Sequence, residues 1–360
     1  MEKKNISALK IAAAYIGTVV GAGFATGQEI LQFFAAFGLN GLWGIILATG
    51  LFILFGAIIM ELGFWLNAKS HLEIIRHTGG PVFGAVMDVM ISLCLFVALT
   101  AMMAGTGALF SQQFGLTGVL GNLIMAVLSV MTVLTGIRGV ISAISAVVPF
   151  LLAAVIAISV FSIINTPPVF SQSGGNSFIG NWLMAAILYA SYNIIMSISI
   201  LGPLGASSPD KKTVIRGGVL GGFGLGAASV MIYLAICGNT SDVSNLEVPM
   251  SYIAGKVSPV VQMLYGVVLV AEIYTTAVGA LYGLSARIGN IAKSPKKGSA
   301  IIIGAAIAAL LASLLGFSNL VKYLYPIQGY CGIALLGSLL YIKIKSGWRS
   351  SPDSPDNPYK

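Results

Sequence analysis

The apolar positions of the chain fall into long runs that are separated by short polar or turn-forming breaks. A helix needs about 20 largely apolar residues to cross the hydrocarbon core of a bilayer, so runs of this length indicate membrane-spanning helices. We therefore predict an all-α polytopic membrane protein with ten transmembrane helices. The ten predicted spans are 6–37, 39–67, 81–113, 117–136, 140–165, 178–205, 212–237, 257–287, 299–316 and 319–342.

The composition agrees with this prediction, because 57% of the 360 residues are hydrophobic and only 8% are charged. A soluble domain carries roughly a quarter charged residues, and charged side chains this scarce cannot coat a water-soluble globule of this size. The lipid bilayer is therefore the expected environment. The three cysteines, Cys94, Cys237 and Cys331, share no metal-like spacing, so neither a disulfide framework nor a zinc site is expected.

The basic residues indicate how the spans are oriented. Of the 19 Lys and Arg residues, all except Lys256 and Lys322 fall in breaks that lie on one side of the predicted membrane. Cytoplasmic loops carry an excess of Lys and Arg, so we expect both termini to be cytoplasmic. Membrane topology thus explains the net charge of +8, and nucleic acid is not an expected partner.

A charge-free stretch rich in Pro, Ser and Gly divides the spans into two sets of five. Because five is odd, the second set starts on the outside and runs in the inverted sense. We predict a first repeat over 1–165, an extracellular linker over 166–177, an inverted second repeat over 178–346 and a cytoplasmic tail over 347–360. Such inverted repeats are typical of secondary transporters, which bind substrate near the membrane midplane at interrupted helices.

The first span is too long for one straight helix across a bilayer. About 32 residues would extend about 48 Å, against a hydrocarbon core of about 30 Å. Residues 17–27, in its middle, include four glycines with β-branched residues between them, which weakens a helix. At a break here, the carbonyls of Gly17 and Val20 lose their helical partners, and the amides near Ala22 and Gly23 face an anionic group. Close helix packing is the alternative explanation for the glycines.

Two further spans carry polar residues at membrane depth. In the eighth span, Glu272, Thr275 and Thr276 lie at i, i+3 and i+4 and share one helical face. Such groups at the membrane centre are costly unless they line a cavity or bind something, although hydroxyls can also bond to their own helix. The sixth span carries a polar aromatic cluster suited to a small solute. Its residues are Tyr189, Ser191, Tyr192 and Asn193.

The segment from Ile16 to Glu29, Ile-Gly-Thr-Val-Val-Gly-Ala-Gly-Phe-Ala-Thr-Gly-Gln-Glu, resembles the first helix of the YkvI-like bacterial membrane proteins. That family belongs to the amino acid–polyamine–organocation superfamily, which has the LeuT-type fold of five plus five inverted helices. The resemblance implies a bacterial cytoplasmic membrane protein in which helices 1 and 6 are discontinuous. The sixth span here lacks the glycine-rich break of many relatives.

Sodium-coupled members of this fold bind an ion through two carbonyls of the broken first helix and a carbonyl plus two hydroxyls of the eighth. The resemblance implies a Na+ site formed by the carbonyls of Gly17, Val20 and Glu272 and the hydroxyls of Thr275 and Thr276. Five neutral oxygens suit a hard monovalent cation. The fifth span has no lysine to substitute for the cation. The implied substrate-binding residues are Thr18, Gly21, Ala22 and Gly23 of the first helix and Tyr189, Ser191, Tyr192 and Asn193 of the sixth.

The remaining acidic residues within the spans are candidates for gating or proton transfer. Glu61 and Asp88 lie near the cytoplasmic ends of their spans, at a height similar to that of Lys10. One or both are expected to pair with Lys10, either as an inner gate that breaks on opening or as a static ion pair. Glu29 follows the expected break, where it contacts a substrate amine, carries a proton or closes an outer gate.

Together these patterns predict a secondary active transporter that uses a sodium gradient to import a small polar solute such as an amino acid. Glu272 keeps proton coupling open as the alternative. A channel is a weaker alternative, since channels are usually built from symmetric subunits or a repeated filter. An enzyme is not expected, because no HExxH, GxSxG or phosphate-loop lysine motif is present. No cofactor other than the coupling Na+ is expected, and the solute and oligomeric state are left open.

Overall fold

The computed structural model describes residues 6–68, 70–135, 138–170, 179–288 and 295–345. Within these residues the chain is helical and contains no β-strand, as predicted. The helices are α1 (Ala8–Val19), α2 (Ala22–Thr26), α3 (Gln28–Ile30), α4 (Leu39–Leu66), α5 (His71–Phe114), α6 (Gly118–Thr135), α7 (Arg138–Asn165), α8 (Trp182–Ala206), α9 (Lys211–Cys237), α10 (Thr240–Val243), α11 (Pro249–Val257), α12 (Pro259–Ile288), α13 (Pro295–Ser313), α14 (Phe317–Asn319) and α15 (Tyr325–Lys345). Two π-helical turns, Leu31–Ala35 and Leu320–Leu324, follow α3 and α14.

Six of the described segments are long and apolar enough to cross a membrane. They are α4, α5, α8, α9, α12 and the segment Phe317–Lys345, which contains α14, the second π-helical turn and α15. Four shorter apolar helices are Ala8–Val19, Gly118–Leu134, Pro149–Asn165 and Lys297–Ser313. Each of these segments overlaps one of the predicted spans, because the length of an apolar run is set directly by the thickness of the bilayer. Ala8–Val19 forms only the first part of the first span, and α5 begins before the third span, with a kink at the non-helical Gly80 (φ 81°, ψ 179°) just before the predicted start of that span at residue 81.

The first predicted span is interrupted where its sequence is rich in glycine. α1 ends at Val19, and both Val20 (φ −69°, ψ 114°) and Gly21 (φ −131°, ψ −168°) are extended before α2 begins at Ala22. The Val20 amide still donates to the Ile16 carbonyl at 2.8 Å, so the helical hydrogen bonds stop directly after it. The prediction of a discontinuous helix 1 is therefore confirmed, and the break leaves backbone groups without helical partners.

A second irregularity follows at the end of α2. Gly27 has a φ of 81°, a left-handed conformation that favours glycine. A Cβ at this position would also lie 2.9 Å from Cγ of Met250, so the site has no room for a side chain. The turn at Gly27 redirects the chain into α3 and the first π-helical turn.

The sixth predicted span forms one continuous helix, so the prediction of a discontinuous helix 6 is wrong. α8 is unbroken, no glycine precedes Gly202 within it, and its Ala and Leu residues favour a helix. Polar groups at its centre bond within the helix. The Asn193 amide donates to the Tyr189 carbonyl at 2.9 Å, and the Ser197 hydroxyl donates to the Asn193 carbonyl at 2.6 Å.

Glycines bring α1 into close contact with α4 and α9. A Cβ at Gly221 of α9 would lie 2.6 Å from Cδ1 of Tyr15, and a Cβ at Gly56 of α4 would lie 2.7 Å from the Tyr15 hydroxyl. That hydroxyl donates to the Phe52 carbonyl at 2.8 Å. Small residues allow membrane helices to approach closely and gain packing contacts. The first half of the interrupted helix is therefore held firmly by α4 and α9.

The connection between α9 and α12 contains α10 and α11, which the hydropathy pattern did not predict. Gln112 of α5 holds this connection: its side chain donates to the Val248 carbonyl at 2.9 Å and accepts from the Val248 amide at 3.0 Å. Met250, two residues further on, then lies against Gly27. α11 thus supports the second half of the interrupted helix.

Candidate functional site

The interruption of the first helix lies against α12. A Cβ at Gly21 would lie 4.0 Å from Cγ2 of Thr276, which is van der Waals range. The Tyr265 hydroxyl of α12 donates to the Ala25 carbonyl of α2, although these residues are 240 positions apart in the sequence. The structure therefore brings together the two segments that the sequence assigned to ion binding.

The α12 face at this contact is rich in oxygen atoms. Glu272 is 1% exposed and Thr275 is 4% exposed. The Thr275 hydroxyl donates to the Glu272 carbonyl at 2.9 Å, and both oxygens keep lone pairs that can bind a cation. Oε2 of Glu272 is buried and has no hydrogen-bond partner among the described residues. Since buried polar groups are normally satisfied, this face is suited to a cation or a proton.

The other first-helix candidates flank the same contact. Gly17 lies in the last turn of α1, and Val20 is the first extended residue. The Thr18 hydroxyl donates to a carbonyl of its own helix at 2.7 Å. Ala22 and Gly23 are the first two residues of α2. Ion binding at Gly17 and Val20 and solute binding at the others stay predictions.

A second group of buried polar side chains lies where α3 faces α8 and α15. We term it the Glu29 cluster, and it comprises Glu29, Tyr189, Tyr192 and Tyr325. Glu29 lies beside the hydroxyls of Tyr189 and Tyr192, and all three residues are at most 4% exposed. Oε2 of Glu29 and both of these hydroxyls are buried without a hydrogen bond of good geometry to any described residue. Three polar groups with unused hydrogen-bonding capacity therefore converge.

Aromatic rings are in contact with the two tyrosines of this group. The ring centre of Tyr189 lies 4.9 Å from that of Phe34 and 5.6 Å from that of Tyr192. The ring of Tyr192 lies 5.1 Å from that of Tyr325 and 5.7 Å from that of Phe33. Rings at these distances contact one another, and we term this group of rings the aromatic shell.

The other two candidates of the sixth span, Ser191 and Asn193, donate hydrogen bonds to backbone carbonyls, and solute binding by them stays a prediction. The Ser191 hydroxyl donates to the Gly329 carbonyl at 2.7 Å, which joins α8 to α15. Asn193 donates to its own helix, as described above. Of the four residues predicted on α8 to bind solute, Tyr189 and Tyr192 are thus the two that lie beside Glu29.

Glu61 is paired, but not with Lys10 as expected. Its two carboxylate oxygens lie 2.6 Å from Nζ of Lys211 on α9 and 2.5 Å from Nζ of Lys343 on α15. Trp65 donates its indole N–H to the same carboxylate at 3.4 Å. Lys10 is exposed. The expectation failed because similar heights along different helices do not specify which helices are neighbours.

Asp88 also pairs with residues other than Lys10. Nη1 of Arg287 on α12 donates to Oδ1 of Asp88 at 2.8 Å, and Nε2 of His71 lies 3.0 Å from the same oxygen. Two separate ion clusters are therefore present in place of the expected pairs with Lys10, and a gating role for either of them stays a prediction. The Glu61 cluster joins α4, α9 and α15, whereas the Asp88 cluster joins α5 and α12.

Sequence reasoning missed Tyr265 and Tyr325. Both are tyrosines inside apolar runs, and this was an available signal, because a buried tyrosine hydroxyl usually needs a partner. No group of three or more His, Cys, Asp or Glu side chains that could hold a metal ion occurs in the described part of the chain.

Several predictions concern residues outside the described part of the chain. They are the basic residues Lys3, Lys4, Lys69 and Lys293, the part of the linker over 171–177 and the tail over 347–360.

Two proteins of Bacillus subtilis (strain 168) are similar to nearly the whole chain. The chain is 31% identical over 345 residues to the uncharacterized membrane protein YkvI, which covers 94% of this chain and 97% of that protein. It is 28% identical over 334 residues to the uncharacterized protein YyaD, which covers 93% of this chain and 96% of that protein. No family model matches the sequence.

Solved structures share the fold at low sequence identity. MhsT in complex with L-phenylalanine matches with a TM-score of 0.64 and 16% identity, covering 99% of this chain and 94% of that chain. Mhp1 in an inward-facing conformation matches with a TM-score of 0.61 and 16% identity, covering 92% and 75%. A manganese transporter of Eremococcus coleocola matches with a TM-score of 0.58 and 12% identity, covering 93% and 78%. These matches show that the fold is of the LeuT type.

Proposed function

Because the chain belongs to the YkvI family of membrane proteins and has the LeuT-type fold, we propose that it is a secondary active transporter. It imports a small polar solute, such as an amino acid, across the bacterial cytoplasmic membrane by alternating access. Sodium is the proposed coupling ion. The observation that carries the proposal is the interruption at Val20 and Gly21, which lies against Thr276 of α12.

The proposed topology has ten spans in two inverted sets of five, residues 1–165 and 178–346, with both termini in the cytoplasm. Six long and four shorter apolar helices in the described residues support this number. The interrupted helix is the first span, α8 the sixth and α12 the eighth. The linker 166–177 and the connection with α10 and α11 then lie outside the cell, and the placement of basic residues supports this orientation.

The proposed sodium site consists of the carbonyls of Gly17, Val20 and Glu272 and the hydroxyls of Thr275 and Thr276. The break supports this assignment, because it frees backbone carbonyls beside an oxygen-rich face of α12. Since the ligands come from two helices, a bound ion favours the conformation in which α1 and α12 are close together. We propose that this is the outward-open state, which solute binding then converts to the inward-open state.

Two measurements on the purified full-length protein test the proposal. In a thermal-shift screen of polar solutes, NaCl should raise the unfolding midpoint relative to choline chloride at equal ionic strength, and it should enlarge the shift caused by a bound solute. In proteoliposomes, an inward sodium gradient should drive accumulation of that solute, with saturation and counterflow. Passive flux that does not saturate and ignores ion gradients would indicate a channel and contradict the proposal.

Proton coupling is the second candidate, and the buried carboxyl of Glu272 favours it. Its Oε2 has no partner among the described residues, and a proton would remove the cost of a buried negative charge. In this case a pH gradient without sodium drives uptake, and Glu272→Gln abolishes the uptake. The sodium assignment in turn predicts that uptake without sodium stays at the background level under any pH gradient.

A further inference from the structure

The Glu29 cluster combines one acidic group, the hydroxyls of Tyr189 and Tyr192 that lie beside it, and the aromatic shell inside the helix bundle. We propose that this cluster binds the protonated amino group of the transported solute. The biological role of the site rests on the proposed transport function, whereas binding of an ammonium group can be measured without transport.

Glu29 is the charged group of the cluster. None of the ion pairs in the described part of the chain includes it. Its residue is 4% exposed, and its Oε2 accepts no hydrogen bond of good geometry from the described residues, although the hydroxyls of Tyr189 and Tyr192 lie beside the carboxyl group. A buried carboxylate is costly unless it is paired and hydrogen-bonded, and a cationic donor stabilises this group in its charged form.

Tyr189 and Tyr192 supply the remaining polar contacts. They lie at i and i+3 on α8 and therefore project from one helical face. Ser229 also lies near Tyr189, but its hydroxyl donates to the Leu225 carbonyl at 2.8 Å. An ammonium group carries three N–H donors, which is the number needed for one carboxylate and two hydroxyl oxygens.

The aromatic shell favours a cation over a neutral donor. Tyr189 lies in ring contact with Phe34 and Phe52, and Tyr192 with Phe33 and Tyr325. The face of an aromatic ring attracts an ammonium group electrostatically, most strongly where water is excluded. An organic ammonium ion gains from both the carboxylate and the rings, whereas a neutral amide gains less from each of them.

Gly23 connects the cluster to the interrupted helix. A Cβ at Gly23 would lie 2.7 Å from Cδ of Glu29, so the carboxyl group lies directly against the beginning of α2. An ammonium group bound by Glu29 therefore lies beside the break that contacts α12. This position allows the rest of the solute to reach the backbone groups at the break.

Two sets of three matched probes test the proposal on the purified full-length protein by thermal shift and titration calorimetry. One set is L-phenylalanine, phenethylamine and 3-phenylpropionate, and the other is L-alanine, ethylamine and propionate. Within each set the carbon skeleton is kept, and the three probes carry both the amino group and the carboxylate, the amino group alone, or the carboxylate alone. We expect the amine-bearing members of at least one set to bind at least about tenfold more tightly than the member without an amine.

Two variants assign the binding to the cluster. Glu29→Gln keeps the size of the side chain and removes its charge, so amine affinity should fall by about tenfold or more, whereas Glu73→Gln, at an exposed carboxylate, should have no effect. Tyr192→Phe removes one hydroxyl and should lower the affinity several-fold, whereas Tyr341→Phe, at an exposed ring, should not. The unfolding midpoint of each variant, measured without probe, establishes that the variant is folded. If Glu29→Gln does not fold, Tyr192→Phe provides the test.

The proposal is overturned if no amine binds to the wild-type protein, if the amine-free probes bind equally well, or if Glu29→Gln binds amines with unchanged affinity. Its failure is distinguishable from failure of the transport proposal. Sodium-driven uptake of a solute without an amino group, unchanged in Glu29→Gln, would overturn the ammonium site alone. Amine binding that requires Glu29, in a protein without gradient-driven uptake, would overturn the transport proposal alone.

Discussion

Thr276 faces the interruption of the first helix and provides one of the five oxygens of the proposed sodium site. We expect Thr276→Val, which keeps the shape and removes the hydroxyl, to weaken the apparent affinity for sodium on the order of tenfold. Sodium titrations monitored by thermal shift measure this change. Thr276→Ser should keep the affinity, and Thr49→Val, at a hydroxyl that bonds its own helix at 2.7 Å, is the matched control. Unchanged sodium binding by Thr276→Val would contradict the site.

Glu61 neutralises two lysines at the ends of three helices. Glu61 and Lys343 are 7% and 8% exposed, so Glu61→Gln removes a negative charge that faces a largely buried ammonium group. Loss of one partner of a buried pair costs about 3 kcal/mol, and we expect a midpoint several degrees lower in scanning fluorimetry. Adding Lys343→Met should restore part of the loss, because the buried positive charge is then removed as well. Asp242→Asn, at an exposed pair with Lys256, should leave the midpoint unchanged.

The sequence was sufficient to identify candidate site residues where burial in the membrane alone made a polar side chain unusual. Glu29, Glu272 and Tyr189 were identified because polar groups are rare and costly at membrane depth. The partners of Glu61 and Asp88 were not predictable, since Lys211, Lys343 and Arg287 lie on helices far away in the sequence. Periodicity gives the face of one helix, but it carries no information about which other helix that face contacts.

Among the helices, the short α2 depends most on backbone conformation. Gly27 ends it with a φ of 81°, and a Cβ there would contact Met250 at 2.9 Å. Gly27→Ala should therefore destabilise the protein by about 1–2 kcal/mol, because alanine disfavours the left-handed conformation. The contact of the new Cβ with Met250 should add a further cost. Thermal unfolding measures the change. Gly50→Ala, at an exposed helical glycine of α4 with no atom nearby, should be neutral or slightly stabilising.

Helix interruptions were predicted correctly in one of two cases, and the difference has a local cause. The first span combines several glycines with β-branched residues, which lowers its helix propensity. α8 was assigned a break by resemblance alone, and its sequence from Leu183 to Leu201 contains no glycine. Local propensity was therefore the better guide, because nothing in the sequence of α8 opposes a continuous helix.

The proposed inverted arrangement of the two halves leads to a prediction about the whole molecule. Lys212 and Ser241 are exposed residues beyond opposite ends of the apolar part of α9. A cysteine at position 241 should react with a membrane-impermeant maleimide in intact cells, and one at position 212 only after permeabilisation. Cys331→Ser is a suitable background, because Cys94 and Cys237 are buried. The reverse labelling pattern would contradict the proposed orientation of the protein in the membrane.

The two ion clusters indicate which helices move together. The Glu61 cluster ties α4, α9 and α15 to one another, and the Asp88 cluster ties α5 to α12. Each cluster joins a helix of the first set of five spans to one or two helices of the second, so we expect α4, α9 and α15 to move as one group and α5 and α12 as another. The interrupted helix packs on α4 and α9, so its contact with α12 connects these two groups, which is consistent with an ion at that contact controlling their relative position.

The unbroken course of α8 affects how the proposed solute selectivity can differ among homologues. The peptide groups at the centre of α8 are hydrogen-bonded within the helix. At the proposed solute site, α8 can therefore recognise a molecule only through its side chains. A contact with the backbone is kept when a residue is substituted, whereas a contact with a side chain changes with a single substitution. We therefore expect homologues with the same architecture to differ in cargo through exchanges at Tyr189 and Tyr192, and the same two positions are where selectivity could be engineered.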